Sequence, residues 1–295
     1  WLALTGTNGK TTTVQMAAAI LQQAGLTAHS CGNVGETVIE VLARAKAEIL
    51  VIELSSFQLA WSNEAKFEAS AILNIAADHI DWHGSFRDYA AAKFKIAAAS
   101  KLVIANADDH EVRNRLGDVT NRLITYTLNS PAPHQIGLVE NLIVDRAFST
   151  GDAEVLFELG DITPAVPHNL ANAMAAAALA RSVGVEPVSI SQALREFKLD
   201  HHRLELVAIS DGISWIDDSK ATNPHAALAA LRSQIRSIWI AGGLSKGAEM
   251  DDLIKQGASR IKVAILIGTD APKIESALQS FAPQIPVIRV ARDLR

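Results

Sequence analysis

Cysteine is nearly absent. Cys31 is the single one in 295 residues, so no internal disulfide can form, and a lone thiol fits a reducing compartment. An excess of basic charge is missing too. Lysine and arginine number 27 against 32 acidic residues, a net charge of −5, and nothing marks the clustered basic face that a nucleic acid requires. No apolar run approaches the roughly 20 residues that span a bilayer. No leader peptide opens the chain, which begins at Trp1 in what reads as a strand. That start is odd for a native terminus and raises the expectation of an excised chain. There is no internal repeat and no low-complexity tract. No G-x-G-x-x-G follows a strand, and "AGGLSKG" has the wrong spacing, which argues against a nicotinamide-binding dehydrogenase. What the chain does have is apolar residues, 49% of the total, in a length that suits two domains.

Short apolar runs alternate with helical patterns. "LALT" precedes a glycine loop and a helix follows, closed by Gly25. Strand candidates lie at 48–54, 70–75 and 101–107, with helical stretches at 36–46 and 85–99. Such alternation predicts a mostly parallel sheet covered on both faces. Residues 123–163 are short, alternating and turn-rich, and predict a small antiparallel meander added to that sheet. Helices are expected at 169–184 and 188–197. Near "KLDHHR" (198–203) the pattern restarts, with strands expected at 204–209, 213–217, 237–241, 263–268 and 287–290. The predicted organisation is a central α/β domain over 1–200 and a Rossmann-like α/β domain over 201–295 that stops without a closing helix.

"LTGTNGKTTT" (4–13) carries the clearest chemistry. A glycine-rich turn between strand and helix points backbone N–H groups at an anion, and the helix N-terminus adds partial positive charge. Lys10 is placed to reach β/γ-phosphates and Thr11 to offer a hydroxyl to Mg²⁺. The spacing departs from G-x-x-x-x-G-K-[ST], because the first glycine falls at Gly6 and the local spelling is G-T-N-G-K-T. The plain alternative is a glycine turn with a solvated lysine. Glu53, ending a strand in "IELSSFQL", is either an ordinary strand-terminal acid or a carboxylate that holds Mg²⁺ together with Thr11. Asp78, His79, Asp81 and His83 crowd "DHIDWH". The spacing of His79 and His83 brings zinc to mind, but Ile80 replaces the glutamate of H-E-x-x-H, and the better reading has His79 facing a phosphate or a second magnesium. Lys93 in "YAAAKFKI" is either a snorkelling surface lysine or a buried amine of depressed pKa.

Taken together, "TGTNGKTTT", "CGNVG", "ELSSFQL", "ILNIAADHIDWH", "YAAAKFKI", "PHNLANAMAAAALA", "HHRLELV" and "WIDDSKATNP" resemble, in order, the ATP-dependent Mur ligases over about residues 1–250. "ELSSFQL" and "DDSKATNP" are most similar to the D-glutamate-adding members. The resemblance implies an ATP-dependent carboxylate–amine ligase of peptidoglycan precursor synthesis. It would phosphorylate UDP-N-acetylmuramoyl-L-alanine to an acyl phosphate that the amine of D-glutamate attacks. It implies ATP and two Mg²⁺ ions, and a cytoplasmic monomer that touches neither nucleic acid nor membrane.

Residue by residue, it puts Gly6, Thr7, Asn8, Gly9, Lys10, Thr11 and Thr12 around the phosphates. Thr11 and Glu53 would hold one Mg²⁺; His79 and Lys93, the latter carried as a carbamate, would hold the other. Asn169 and Asn172 match adenine contacts, Arg203 a phosphate contact, and Asp218 a ribose contact. Lys220, Thr222 and Lys246 match positions near the phosphate and the incoming glutamate, with Lys220 counted with Lys10, His79 and Lys93 as catalytic. Asn33, Ser55 and Gln58 match the muramoyl side. Family members begin with a uridine-nucleotide-binding domain and end with a segment that contacts D-glutamate. Both lie outside these 295 residues, so the expectation is ATP binding with little ligation by this chain alone. Competing readings are another Mur-type ligase or folylpolyglutamate synthase, although no D-N-P-R motif favours the diaminopimelate enzyme, and a non-enzymatic P-loop switch.

Overall fold

The four residues of β1 (Leu2–Thr5) are all buried, as a strand covered on both faces of a parallel sheet must be. They sit near the middle of a nine-stranded sheet in the order β2-β3-β1-β4-β5-β6-β7-β8-β9. The other strands are β2 (Ala28–Gly32), β3 (Ile49–Glu53), β4 (Phe67–Ile72), β5 (Ser100–Asn106), β6 (Arg122–Thr127), β7 (Gln135–Val139), β8 (Leu142–Asp145) and β9 (Glu154–Glu158). This computed structural model describes residues 1–44, 46–243 and 248–290 and divides into two units, Trp1–Lys198 and Leu199–Arg295.

Pairing is parallel from β2 through β7 and antiparallel only in β7-β8-β9. The expected meander over 123–163 is therefore smaller than its sequence indicated: β6 and the start of β7 still run with the main sheet. A short alternating strand reads the same whichever way its neighbour points, so the sequence does not mark where the antiparallel part begins.

Helices α1 (Lys10–Gln23), α2 (Val38–Arg44), α3 (Ser56–Trp61), α4 (Ile80–His83), α5 (Phe86–Ala98), α6 (His110–Arg113), α7 (Pro167–Arg181) and α8 (Pro187–Glu196) complete the first unit. The alanine-rich α7 is buried from Leu170 to Ala180 except for Ala171, and it packs on α1 and on β4 to β6. Small side chains all round let a helix lie close to both a sheet and another helix. Around β3, Leu50 and Ile52 share a cluster with Leu59 of α3 and with Tyr89 and Ile96 of α5. This alternation along the strand sends the side chains of α3 and α5 to one common face.

In the second unit β12 (Ser237–Gly242), β13 (Ile261–Ile267) and β14 (Val287–Arg289) form a parallel sheet. Leu228 and Leu231 of α9 (Pro224–Arg232), Leu253 and Ile254 of α10 (Asp251–Gly257), and Ile274 and Leu278 of α11 (Ala271–Phe281) cluster with Leu266 of β13. β10 (Glu205–Ser210) and β11 (Ile213–Asp217) do not join that sheet. They pair as a separate antiparallel ribbon around a tight turn at Asp211 and Gly212, both of positive φ. Among the described residues no helix is long and apolar enough to cross a membrane.

Candidate active site

Strand order reverses at β1, which has β3 on one side and β4 on the other. Ligands of open α/β sheets bind in the crevice beyond the carboxyl ends of strands at such a point. The loop Gly6–Gly9 leaves β1 there and enters α1. Gly9 is the α1 N-cap with φ +81°, and a Cβ on it would lie 2.3 Å from Oδ1 of buried Asn172 on α7. Only glycine suits both the left-handed backbone and that approach. The first turn of α1 carries no acidic residue, leaving its N-terminal N–H groups to attract an anion. Thr12 is buried in that turn.

The loop is stitched to the segment after β4. Thr7 N–H donates to Asn74 O (2.9 Å), Asn8 N–H to Asn74 Oδ1 (2.8 Å), and Asn74 Nδ2 back to Asn8 O (3.0 Å). Thr7 Oγ1 accepts from Ala76 N–H (2.9 Å) and lies 2.8 Å from Tyr89 OH. Sequence reasoning missed Asn74 and Tyr89. A polar residue just past a buried strand was the available signal for Asn74. For Tyr89 it was the i, i+4 spacing to Lys93 on one helix face.

Two lysines converge on the loop. Lys10 Nζ donates to Gly6 O and Thr7 O, both at 3.0 Å, and Lys93 Nζ donates to Gly6 O at 2.8 Å. Lys93 is 2% exposed, with Nζ 4.9 Å from the centre of the Tyr89 ring. Burial, and then the charge of Lys10, hold its pKa well below the ordinary lysine range. The snorkelling alternative is excluded, because the amine lies inside.

Glu53 closes β3, and its register beside Leu4 sets it next to the loop. It is 1% exposed; Oε2 accepts from Thr11 Oγ1 (2.9 Å) and Oε1 from Asn33 Nδ2 (3.1 Å). Gly32, φ +121°, lets the β2 exit pass Glu53, since a Cβ there would fall 2.3 Å from Glu53 O. Thr11 and Glu53 thus pair two hard oxygen donors, the type Mg²⁺ takes, beside the glycine loop.

His79 lies well past the end of its strand. β4 stops at Ile72, and His79 caps α4 with φ +53°. Its Nε2 is 3.6 Å from Asp78 Oδ2, and its ring meets Phe57 at 4.9 Å. His83 turns elsewhere: Nε2 lies 2.9 Å from Ser56 Oγ, the ring stacks on Phe57, and burial lowers its pKa. The "DHIDWH" cluster does not converge on a metal position. Among the described residues the one such trio is His202, Glu205 and Asp217 in the second unit, joined by their own hydrogen bonds.

The remaining expected residues are more scattered. Ser55 and Gln58 form a capping box on α3, with Ser55 Oγ accepting from Gln58 N–H (3.2 Å) and Gln58 Oε1 from Ser55 N–H (2.9 Å). Asn169 is buried in the first turn of α7, its Nδ2 donating to Pro164 O (3.0 Å). In the second unit Asp218 Oδ1 accepts from Leu204 N–H (3.1 Å), and burial raises its pKa. Arg203 has a buried Nε with no hydrogen-bond partner. Lys220 N–H donates to His202 O and Thr222 N–H to Lys220 O, which holds both in the turn before α9. Lys246 lies outside the described residues.

Fold and site define an α/β protein with a glycine-rich loop at the switch point of its sheet, flanked by two lysines and a buried carboxylate. The chain belongs to the Mur ligase family: residues 4–180 match the Mur ligase middle domain, and residues 202–294 match the Mur ligase glutamate ligase domain. Among curated relatives, UDP-N-acetylmuramoylalanine–D-glutamate ligase of Thermobifida fusca is 48% identical over 99% of this chain and 65% of its own length. The enzymes of the same name from Streptomyces avermitilis (45%; 99% and 64%) and Mycobacterium tuberculosis (44%; 98% and 58%) are also similar. The chain therefore spans less than two thirds of the length of these relatives. Among solved structures, MurF from Acinetobacter baumannii superposes with a TM-score of 0.75 at 20% identity, over 98% of this chain and 67% of that one. A pseudomurein peptide ligase type C from Methanothermus fervidus gives 0.74 at 20% identity, over 100% and 69%. At that identity the likeness establishes the fold.

Proposed function

We propose that this chain supplies the ATP site and the C-terminal unit of a ligase that joins D-glutamate to UDP-N-acetylmuramoyl-L-alanine in peptidoglycan precursor synthesis. The reading rests on one observation above the others. Lys10, Lys93 and the Thr11–Glu53 pair gather around a single glycine loop at the exit of the central strand. Relatives that bear this activity in their names, 43–48% identical across nearly the whole chain, point to the substrates.

The reaction transfers the γ-phosphoryl group of ATP to the substrate carboxylate. The D-glutamate amine then adds to the acyl phosphate, and the tetrahedral adduct collapses to amide and phosphate. Little covalent work falls to the protein; it aligns anions and neutralises them. The N–H groups at the N-terminus of α1 and the Lys10 amine receive the phosphates. Thr11 Oγ1 and Glu53 Oε2 fit Mg²⁺, which when bound neutralises phosphate charge. Lys93, kept below its ordinary pKa, offers a neutral amine that can add CO₂ and lose a proton. A carbamate at Lys93 beside His79, holding a second Mg²⁺, belongs to the same proposal. So do the adenosine contacts of Asn169, Asn172 and Asp218, the phosphate contact of Arg203, the substrate contacts of Asn33, Ser55, Gln58, Thr222 and Lys246, and the catalytic place of Lys220. A cytoplasmic monomer is part of it as well.

Calorimetric titration of the chain with Mg-ATP tests the nucleotide half. Phosphate release by the longest natural form of the protein tests the rest, with UDP-N-acetylmuramoyl-L-alanine and one amino acid at a time. Release that requires D-glutamate is expected. Release that requires L-alanine or diaminopimelate moves the protein to another branch of the family, and release indifferent to any amino acid overturns the ligase.

A further inference from the structure

We propose that Tyr89 is a positioning residue for the phosphate loop, acting through Thr7; this rests on the nucleotide reading of that loop. Thr7 Oγ1 has one hydrogen and two lone pairs. Ala76 N–H occupies one lone pair (2.9 Å), and the hydroxyl hydrogen reaches Ala76 O (3.2 Å). One lone pair remains, and Tyr89 OH lies 2.8 Å away. The arrangement is complete only when Tyr89 donates. Its hydroxyl stays protonated for that purpose, because it is buried at 1% exposure.

The consequence is geometric. Apart from the Lys10 amine on Thr7 O, the hydrogen bonds given above for Thr7 and Asn8 run to Asn74 and Ala76, on the segment that leads from β4 toward His79. Tyr89 stands on α5 instead, one turn before Lys93 and with its ring beneath the Lys93 amine. Its hydroxyl joins α5 to Thr7 and, through Thr7, to the β4 exit, while the Lys93 amine one turn on meets the loop at Gly6 O. Nothing in the phosphate chemistry requires a tyrosine at this place, and it touches no reacting group in this reading. Its work is to hold Thr7, and with it the turn that leads through Gly9 into the N-terminus of α1.

The test is the affinity of the 295-residue chain for Mg-ATP, with melting temperature recorded for each variant. Tyr89→Phe keeps the ring and removes the tie. It is expected to weaken Mg-ATP by about tenfold, the equivalent of one hydrogen bond of about 1.4 kcal/mol. Thr7→Val should cost a similar factor, Thr7→Ser should stay within about threefold of wild type, and Tyr89→Phe in the Thr7→Val background should cost nothing further. A merely structural tyrosine would lower the melting temperature and leave the affinity of the folded chain alone. Tyr89→Phe binding within about twofold of wild type, or losses that multiply in the double variant, overturns the proposal while the nucleotide reading stands. Wild-type chain that does not bind Mg-ATP overturns both. If Tyr89→Phe does not fold, the Thr7→Ser and Thr7→Val pair decides: equal affinities overturn the tie.

Discussion

Replacing Lys93 with methionine should stabilise the protein while abolishing Mg-nucleotide binding, and the gain should depend on pH. Lys93 is 2% exposed; its amine meets Gly6 O, Thr5 Oγ1 and the Tyr89 ring, and among the described residues no carboxylate forms an ion pair with it. Burial, then the charge of Lys10, holds its pKa well below the ordinary lysine value. In the unfolded chain it titrates near ~10.4. Between the two pKa values the unfolded state binds more protons, so wild-type stability rises with pH, by up to ~1.4 kcal/mol per pH unit. The favourable contribution is complete above the unfolded pKa and is lost as pH falls through the folded one. Methionine is of similar length, suits a helix, and has no proton to carry.

Removing a buried charge in favour of an apolar side chain is worth on the order of 1–4 kcal/mol. The hydrogen bond to Gly6 O gives back about 1 kcal/mol, a small loss because Lys10 Nζ still reaches that oxygen at 3.0 Å. A net gain of roughly 1–3 kcal/mol near neutral pH follows, or several degrees in Tm for a unit of this size. Urea unfolding in metal-free, CO₂-stripped buffer, from about pH 6 to about pH 9.5, should show the advantage of Lys93→Met shrinking as pH rises. A variant less stable than wild type throughout, or two parallel pH curves, would refute the reasoning. Stability gained by removing a group kept for ligand binding is the usual mark of a functional site.

Gly9→Ala forces a side chain into φ +81° and into Asn172 Oδ1. It should cost about 1–2 kcal/mol of backbone strain alone and weaken Mg-ATP more than tenfold, read by melting and calorimetry. Asp145→Ala tests the opposite edge of the sheet. Asp145 is fully buried, accepts from Arg181 Nε at 3.1 Å, and also receives the N–H groups of Ala147 and Phe148. Its loss should cost about 3 kcal/mol in urea unfolding and leave Mg-ATP affinity unchanged, because nothing in that network touches the loop.

Much of the site is written in local order. "LALT" followed by G-T-N-G-K-T gives strand, turn and helix from short-range rules alone, and Glu53 falls at the end of an apolar run that could only be a strand. Pairing partners are another matter. Residues 122–127 show the same alternation whether their neighbour is parallel or antiparallel, and residues 204–217 show strands without saying which sheet they join. Ser55-x-x-Gln58 is legible as a capping box, yet the family pattern drew it toward the substrate, and both descriptions apply to one tetrapeptide. Thr7 and Tyr89 lie 82 positions apart, and no periodicity connects them. The contact exists because β1 and β4 are neighbours and α5 packs across both.

The charges at the loop show what such a site is built to receive. Glu53 and Lys93 are both buried within reach of the same turn, where a direct ion pair would be expected to form and stabilise each. The fold keeps them apart instead. Glu53 is satisfied by the hydroxyl of Thr11 and the amide of Asn33, and Lys93 by the carbonyl of Gly6. Neutral partners of this kind satisfy a buried group without an opposite charge, and for Lys93 that burial favours the neutral amine. One carbonyl, Gly6 O, serves both lysine amines at once, while the Glu53 carboxyl lies beside Thr11. A monovalent anion would answer only the lysines, and a lone cation only the glutamate. In the proposed reading, a phosphate chain that carries a divalent metal answers both in one binding event, its oxygens at Lys10 and its cation at Thr11 and Glu53.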